Sequence, residues 1–229
     1  MHSARTPEVE GIDTLAAQLR GFGPLGIVAL IAILFGNALV PPLSAILVLL
    51  WTRLSGTPWR AIGYVRPRGW LATFAIGIAF GIAFKFAMKA LVMPLLGADP
   101  VNHAYHYLAG NTAALPFAIY TMIVVAGIGE ETVFRGYLFE RLGRLMGHGR
   151  AARVATVLIS TAWFAFGHYS NQGVAGVEQA AVTGLVMGAI YARTGSLAML
   201  MVAHAAFDLT AVAMIYWDVE ARVAHLVFR

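Results

Sequence analysis

Two adjacent glutamates and an arginine lie inside an apolar stretch, in the sequence Gly129-Glu-Glu-Thr-Val-Phe-Arg-Gly136. The surrounding residues, roughly 114–141, otherwise have the composition of a membrane-spanning helix. A charged side chain at the centre of such a helix costs on the order of 3 kcal/mol. Charged residues retained at that depth usually face a bundle interior or a water-filled cavity, so this stretch is the first candidate for chemistry.

Helical geometry predicts different roles for the two acids. Neighbouring residues on a helix project about 100° apart, so Glu130 and Glu131 cannot share a face. Arg135 follows Glu131 by four residues, which places the two side chains on the same face as an ion pair. Glu130 has no such partner and is predicted to point toward other helices, where a carboxylate is suited to act as a general base.

Three further polar residues occur on later apolar segments. His168 follows Phe164 by four residues, and His204 precedes Asp208 by four, so each pair shares a helix face. The helical rise places Glu130 and both histidines about 12 to 22 Å from the nearest arginine-bearing end, within the middle band of the bilayer. The pattern predicts a shared cavity in which Glu130 activates a water and His168 helps to hold it. His204 and Asp208 would then face the oxygen of the scissile carbonyl.

The composition indicates the elements that must position these residues. Of 229 residues, 59% are hydrophobic and 12% are charged, about half the charged share of a soluble domain, and the mean hydropathy is +0.74. This predicts an all-α, polytopic transmembrane bundle whose main partner is the lipid bilayer. The net charge of +5 comes from arginines clustered in particular loops, which favours membrane orientation over nucleic-acid binding. The chain has no cysteine, which excludes disulfides and a thiol nucleophile.

Six apolar runs predict about six spans. They cover residues 24–51, 70–96, 114–141, 155–168, 177–192 and 197–217. Pro41-Pro42 interrupts the first run; one long kinked span is preferred, and a split into a helical pair would give seven. The predicted organisation is an N-terminal tail (1–23) with a short interfacial helix from Ile12 to Leu19, two N-terminal spans (24–112), a helical core (113–217) and a C-terminal tail (218–229).

The arginines also predict the orientation. Loops with arginine alternate with loops lacking it, and the positive-inside rule makes the arginine-rich side cytoplasmic, with both termini outside for six spans. A split first run would move the N-terminus inside. Two lysines against fourteen arginines, with abundant alanine and glycine, suggest a GC-rich bacterial source and therefore the bacterial plasma membrane.

Taken together, three motifs resemble a known family. They are Glu130-Glu131-x-x-x-Arg135, Phe164-x-x-x-His168 and His204-x-x-x-Asp208, in this order on successive apolar segments. The combination resembles the CPBP family of C-a-a-X proteases and bacteriocin-processing proteins, also called the ABI family, over roughly Pro116 to Tyr216. The resemblance implies an intramembrane endopeptidase that acts on a membrane-associated peptide or protein. Eukaryotic members remove the last three residues of prenylated proteins from a cavity open to the cytosol and bilayer; in a bacterial chain a prenylated substrate is not expected.

The same resemblance assigns roles residue by residue. Glu130 corresponds to the general base and His168 to its partner on the water. Glu131 and Arg135 correspond to the pair that supports them.

The oxyanion position departs from the family pattern. His204 and the residue four later correspond to the oxyanion site, where the family often has asparagine and this chain has Asp208. An ionised carboxylate can only accept hydrogen bonds, so Asp208 either carries a proton or orients and charges His204.

Cofactor use stays open at this point. Two histidines and two acids could ligate zinc, but the chain lacks His-Glu-x-x-His, so a metal-free glutamate mechanism is favoured and zinc is the alternative. Other functions also remain. A proton-coupled transporter could relay protons through Glu130 and the histidines, although no repeated half is visible. A non-catalytic membrane scaffold, with these residues as interhelical ties, would tolerate Glu130→Gln.

Overall fold

The computed structural model describes residues 7–228, which are 81% helical and contain no strand. This confirms the all-α membrane bundle. Besides three separate 3₁₀ helices (Gly36–Ala38, Trp59–Ile62 and His103–Leu108), nine helices follow one another in the described part of the chain: α1 Pro7–Arg20, α2 Pro24–Phe35, α3 Leu43–Leu54, α4 Trp70–Leu95, α5 Thr112–Met146, α6 Arg150–Gly167, α7 Tyr169–Thr194, α8 Ala198–Tyr216 and α9 Glu220–Ala224. Helix α5 has π-type hydrogen bonding over Thr121–Tyr137, the part that carries the Glu-Glu motif.

The number of spans is lower than the six predicted. Four helices in the described residues (α4, α5, α7 and α8) are long and apolar enough to cross a membrane. A fifth candidate arises only if Asp13–Arg20 and Pro24–Ala38, which meet at 61°, are counted as one span. The predicted fourth run forms α6, whose first turn contains Arg150 and Arg153 and which is not among the candidates.

The first apolar run is not the single kinked span that the sequence favoured. It forms α2 and α3, each of 12 residues, or about 18 Å, too short to cross a core of about 30 Å alone. The two helices pack against each other across a turn that Asn37 and Ser44 close. Each backbone N–H of this pair donates to the other's side-chain oxygen at 2.9 Å. The prolines therefore divide the run, and the helical pair is correct.

The hairpin of α2 and α3 also determines at which end of the bundle α1 lies. The end of α1 lies beside Trp51 and Arg141, whose side chains donate to the carbonyls of Leu19 (3.0 Å) and Arg20 (2.8 Å). The end of α8 instead lies at the start of α5, where the N–H of Gly110 donates to the carbonyl of Tyr216 at 3.0 Å. Because α5 runs the length of the bundle, α1 and α9 lie at opposite ends. The expectation that both termini share one side is therefore wrong for the described helices.

Small residues let the spans approach closely around α8. A Cβ at Gly81 of α4 would stand 2.2 Å from the carbonyl oxygen of Ala203, and one at Gly127 of α5 would stand 2.9 Å from Cβ of Ala205. Close backbone approach of this kind is typical of helix packing in membranes. It brings the polar segment of α5 against the polar segment of α8.

Candidate active site

A fully buried ion pair forms the base of the site. Arg135 Nη1 donates to Oε1 of Glu131 at 2.9 Å, and these side chains are 2% and 0% exposed. The i,i+4 pairing predicted from the sequence is therefore formed. The same Oε1 lies 2.8 Å from Nδ1 of His204 on α8. An ionised carboxylate can only accept hydrogen bonds, so Nδ1 of His204 carries a proton and donates a hydrogen bond to Glu131.

The other ring nitrogen of His204 lies between two more carboxylates. Nε2 is 3.7 Å from Oε2 of Glu130 and 3.5 Å from Oδ2 of Asp208. Oε2 of Glu130 is buried and has no hydrogen-bond partner among the described protein groups. Glu130 thus points away from Glu131, as helix geometry predicted, and its carboxylate can accept a proton.

His168 is held by a different contact. It lies in the turn between α6 and α7, where Nδ1 is 2.8 Å from the carbonyl oxygen of Phe164. A carbonyl accepts only, so Nδ1 donates and Nε2 of the neutral ring is the free acceptor. The ring of Phe164 contacts His168 edge-on at 4.6 Å, lies 6.1 Å from the ring of His204, and carries the Arg135 guanidinium 4.6 Å from its centroid. One buried phenylalanine therefore positions three site residues.

A cavity of about 670 Å³ opens beside these groups. Glu130, His168, His204 and Asp208 line it, whereas Glu131 and Arg135 lie behind its wall. Aromatic side chains form much of the remaining lining: Phe35, Phe117, Tyr120, Trp163 and Phe166. The cavity thus combines a polar reaction centre with an apolar approach, which suits a membrane-embedded or amphipathic ligand.

At its far end the cavity reaches the loop between α4 and α5. Tyr105 of this loop lines the cavity, and its hydroxyl accepts a hydrogen bond from Nε2 of Gln172 at 3.4 Å. Burial raises the pKa of the Tyr105 hydroxyl to about 12, so it stays protonated at neutral pH. It is a neutral hydrogen-bond donor in the cavity lining.

The structure brings the predicted site residues together, and it also shows contacts that the sequence did not predict. Sequence reasoning did not find the pair of Lys85 and Gln179, which both line the cavity and are joined by a hydrogen bond of 2.9 Å. It also missed the brace behind the Glu-Glu motif, where the Tyr64 hydroxyl lies 2.8 Å from the hydroxyl of Thr132. Tyr64 lies outside every motif, and its loop position carries no signal that it meets α5.

The donor set does not match a metal centre. Within residues 7–228, no three His, Asp or Glu side chains are arranged to hold a metal ion. His204 directs one nitrogen to Glu131 and the other toward Glu130 and Asp208, so its carboxylate neighbours lie on opposite sides of the ring. No reaction step is therefore derived through a metal.

Comparison with known proteins gives one match. Residues 112–210 match the family described as type II CAAX prenyl endopeptidase Rce1-like. No match was found among curated proteins or solved structures. The matched segment runs from the start of α5 into α8 and contains all three motifs. The match covers a little under half of the chain; it confirms the resemblance that the three motifs predicted and supports an intramembrane protease of the CAAX type.

Proposed function

We propose that the protein hydrolyses a peptide bond of a membrane-associated protein or peptide, with a water activated by Glu130. The observation that carries this proposal is the separation of the two glutamates. Glu131 is fixed behind the wall by Arg135 and His204, while Glu130, whose side chain is 21% exposed, lines the cavity.

In the proposed reaction, Glu130 accepts a proton from water as the water oxygen bonds to the scissile carbonyl carbon. Nε2 of His168 accepts the water's second hydrogen bond and orients it. The carbon–nitrogen bond then breaks, and the proton held by Glu130 passes to the leaving amine. Atoms balance: one water and one peptide bond give a carboxylic acid and an amine.

Charge on the carbonyl oxygen is assigned to His204. Donation from Nε2 requires the doubly protonated ring, whose positive charge the Glu131 carboxylate balances across the 2.8 Å contact at Nδ1. Asp208 lies 3.5 Å from Nε2. In this proposal it orients and charges His204 and does not contact the oxyanion itself.

The side of entry follows from the distribution of charge. Exposed arginines concentrate at the bundle end formed by the loops after α3, α5 and α7: Arg53, Arg60, Arg66, Arg68, Arg144, Arg150, Arg153 and Arg193. The cavity reaches Asn102 and Tyr105 at the other end. With the arginine-rich end in the cytoplasm of a bacterial cell, substrates enter from the extracytoplasmic side or the bilayer.

A cleavage assay in liposomes tests the reaction. Wild type is compared with Glu130→Gln and with Glu178→Gln, the same chemical change at a half-buried α7 residue outside the cavity lining. Against a membrane-peptide library, we expect Glu130→Gln to lose at least 100-fold in rate, the usual size of a general-base contribution, and Glu178→Gln to retain activity. Full activity of Glu130→Gln would refute the mechanism and favour a scaffold.

Two further arms separate the alternatives. Activity that persists with a chelator supports the glutamate mechanism, whereas loss that zinc restores would identify a metalloenzyme. Proton flux without cleavage would identify a transporter. Because the chain has no cysteine, His106→Cys and Arg66→Cys provide single labelling sites for the side of entry. On intact cells an impermeant maleimide should label only the former, and the reverse pattern would contradict extracytoplasmic entry.

A further inference from the structure

One charged residue that lines the cavity has no place in the reaction described above. Lys85 of α4 is 5% exposed, and its Nζ donates to Oε1 of Gln179 at 2.9 Å. The ammonium also lies 4.7 Å from the ring centroid of Phe207. Both Lys85 and Gln179 belong to the cavity wall.

The neighbouring lysine shows what a structural buried cation requires. Lys89, one turn later, is 8% exposed and forms an ion pair of 3.0 Å with Glu220 of α9. Among the described residues, no carboxylate lies within 4.0 Å of Nζ of Lys85. The cavity acid on its side, Asp208, already contacts His204 at 3.5 Å.

Chemistry defines the ligand that fits this position. An ammonium has three donors, of which Gln179 takes one, so two remain for a ligand in the cavity. A buried cation whose direct contacts are a neutral amide and an aromatic face is costly unless a negative charge matches it, and the Asp208 carboxylate in the same cavity wall acts on Lys85 only from beyond 4.0 Å. A carboxylate supplies both the charge and the acceptor oxygens.

We propose that Lys85 and Gln179 form a carboxylate-binding subsite that selects substrates with a free carboxylate, either a chain terminus or an acidic side chain. This inference rests on the proposed function only in calling the ligand a substrate. The subsite lies beside Phe207, next to Asp208, and so would anchor the ligand near the reaction centre. Lys85 then acts in specificity, separately from water activation.

Binding tests the subsite without turnover. The full chain carrying Glu130→Gln is reconstituted in neutral liposomes with a fluorescent, palmitoylated peptide of uncharged residues. Three probes are used: a C-terminal carboxylate, a C-terminal amide, and the amide with one glutamate side chain. We expect a carboxylate form to bind about 10-fold or more tightly than the plain amide, as for a hydrogen bond to a charged group. The form that does so identifies the source of the carboxylate.

Matched variants assign the effect. Lys85→Met should abolish the preference and leave amide binding unchanged, and Lys85→Arg should retain most of it. Gln179→Glu, which keeps the size of the side chain, should abolish the preference by placing an internal carboxylate beside Lys85. The control Lys89→Met/Glu220→Gln, which neutralises the buried pair outside the cavity lining, should keep it.

Equal binding of all three probes, or a preference that survives in both Lys85→Met and Gln179→Glu, would overturn the subsite. Should Lys85→Met fail to fold, Gln179→Glu decides alone. Failure of the proposed function is seen separately. Carboxylate preference without cleavage by wild type would sink the protease mechanism and leave the subsite standing.

Discussion

Removal of Arg135 is the sharpest test of how the site is held. Its side chain is 2% exposed, its only carboxylate contact among the described residues is Glu131 at 2.9 Å, and Arg135→Met leaves that carboxylate buried with His204 alone. Breaking a buried ion pair costs about 3–5 kcal/mol. The pair is held by one hydrogen bond, since Nη2 and Oε2 have no partner among the described groups, so we expect the lower value, about 3 kcal/mol. This raises the unfolding equilibrium constant by more than about 100-fold.

The assay is equilibrium unfolding in mixed detergent micelles. The matched control is Arg144→Met: Arg144 pairs with Glu140, also four residues apart, but is 44% exposed, and Glu140 keeps Arg141 at 3.6 Å. Glu140 is only 7% exposed, but Arg144 reaches solvent and Glu140 retains Arg141, so we expect Arg144→Met to cost less than about 1 kcal/mol. Adding Glu131→Gln to Arg135→Met should recover at least half of the loss, because no buried charge remains unpaired. A loss below about 1 kcal/mol in Arg135→Met, or no recovery in the double variant, would show that the pair is not the foundation of the site.

Three smaller predictions concern residues outside the reaction centre. Gly81→Ala should destabilise the bundle by about 1–3 kcal/mol in the same unfolding assay, because its Cβ would meet the carbonyl of Ala203 at 2.2 Å; an unchanged stability would contradict the close packing of α4 and α8. Tyr64→Phe should lower the free energy of unfolding by about 1 kcal/mol, because the hydrogen bond to Thr132 is lost. The circular dichroism spectrum of this variant should match that of wild type. The backbone N–H of Val101 donates to the Asp99 carboxylate and holds the pKa of this carboxyl below its ordinary value of 3.8. The hydrogen bond therefore stabilises the fold above pH 3.8, and this stabilisation is lost as the pH falls through the lowered pKa of Asp99. An NMR titration midpoint of Asp99 above 3.8 would contradict this prediction.

The sequence predicted the local geometry of the site because helix periodicity acts over a few residues. The pairing of Glu131 with Arg135 and the shared face of His204 and Asp208 both follow from four-residue spacing. The long spans were also predictable: 70–96 and 197–217 became Trp70–Leu95 and Ala198–Tyr216. Their uninterrupted apolar composition leaves few alternatives to a span.

The prediction of a single first span was wrong because the apolar composition of the run does not reveal the turn within it. The run 24–51 is apolar enough to span, but Pro41-Pro42 and the Asn37–Ser44 bonds turn it back on itself. Hydropathy measures transfer of side chains and does not register a turn that satisfies its own backbone groups. Because of that error the sequence predicted α1 at the wrong end of the bundle, since one crossing fewer reverses the side on which α1 lies.

Contacts between helices were the part that spacing could not supply. The motifs predicted that His204 faces the carbonyl oxygen of the substrate, but they did not predict its contact with Glu131. Nδ1 of His204 is hydrogen-bonded to Glu131, so only Nε2 is left for a substrate. One imidazole thus connects the fixed glutamate to the free one, and the two adjacent acids differ because α8 contacts them from one side. The difference between Glu130 and Glu131 is therefore set by the neighbouring helix as much as by the helix that carries them. Variants that displace α8, such as Gly81→Ala, should impair cleavage even though they touch no reacting group.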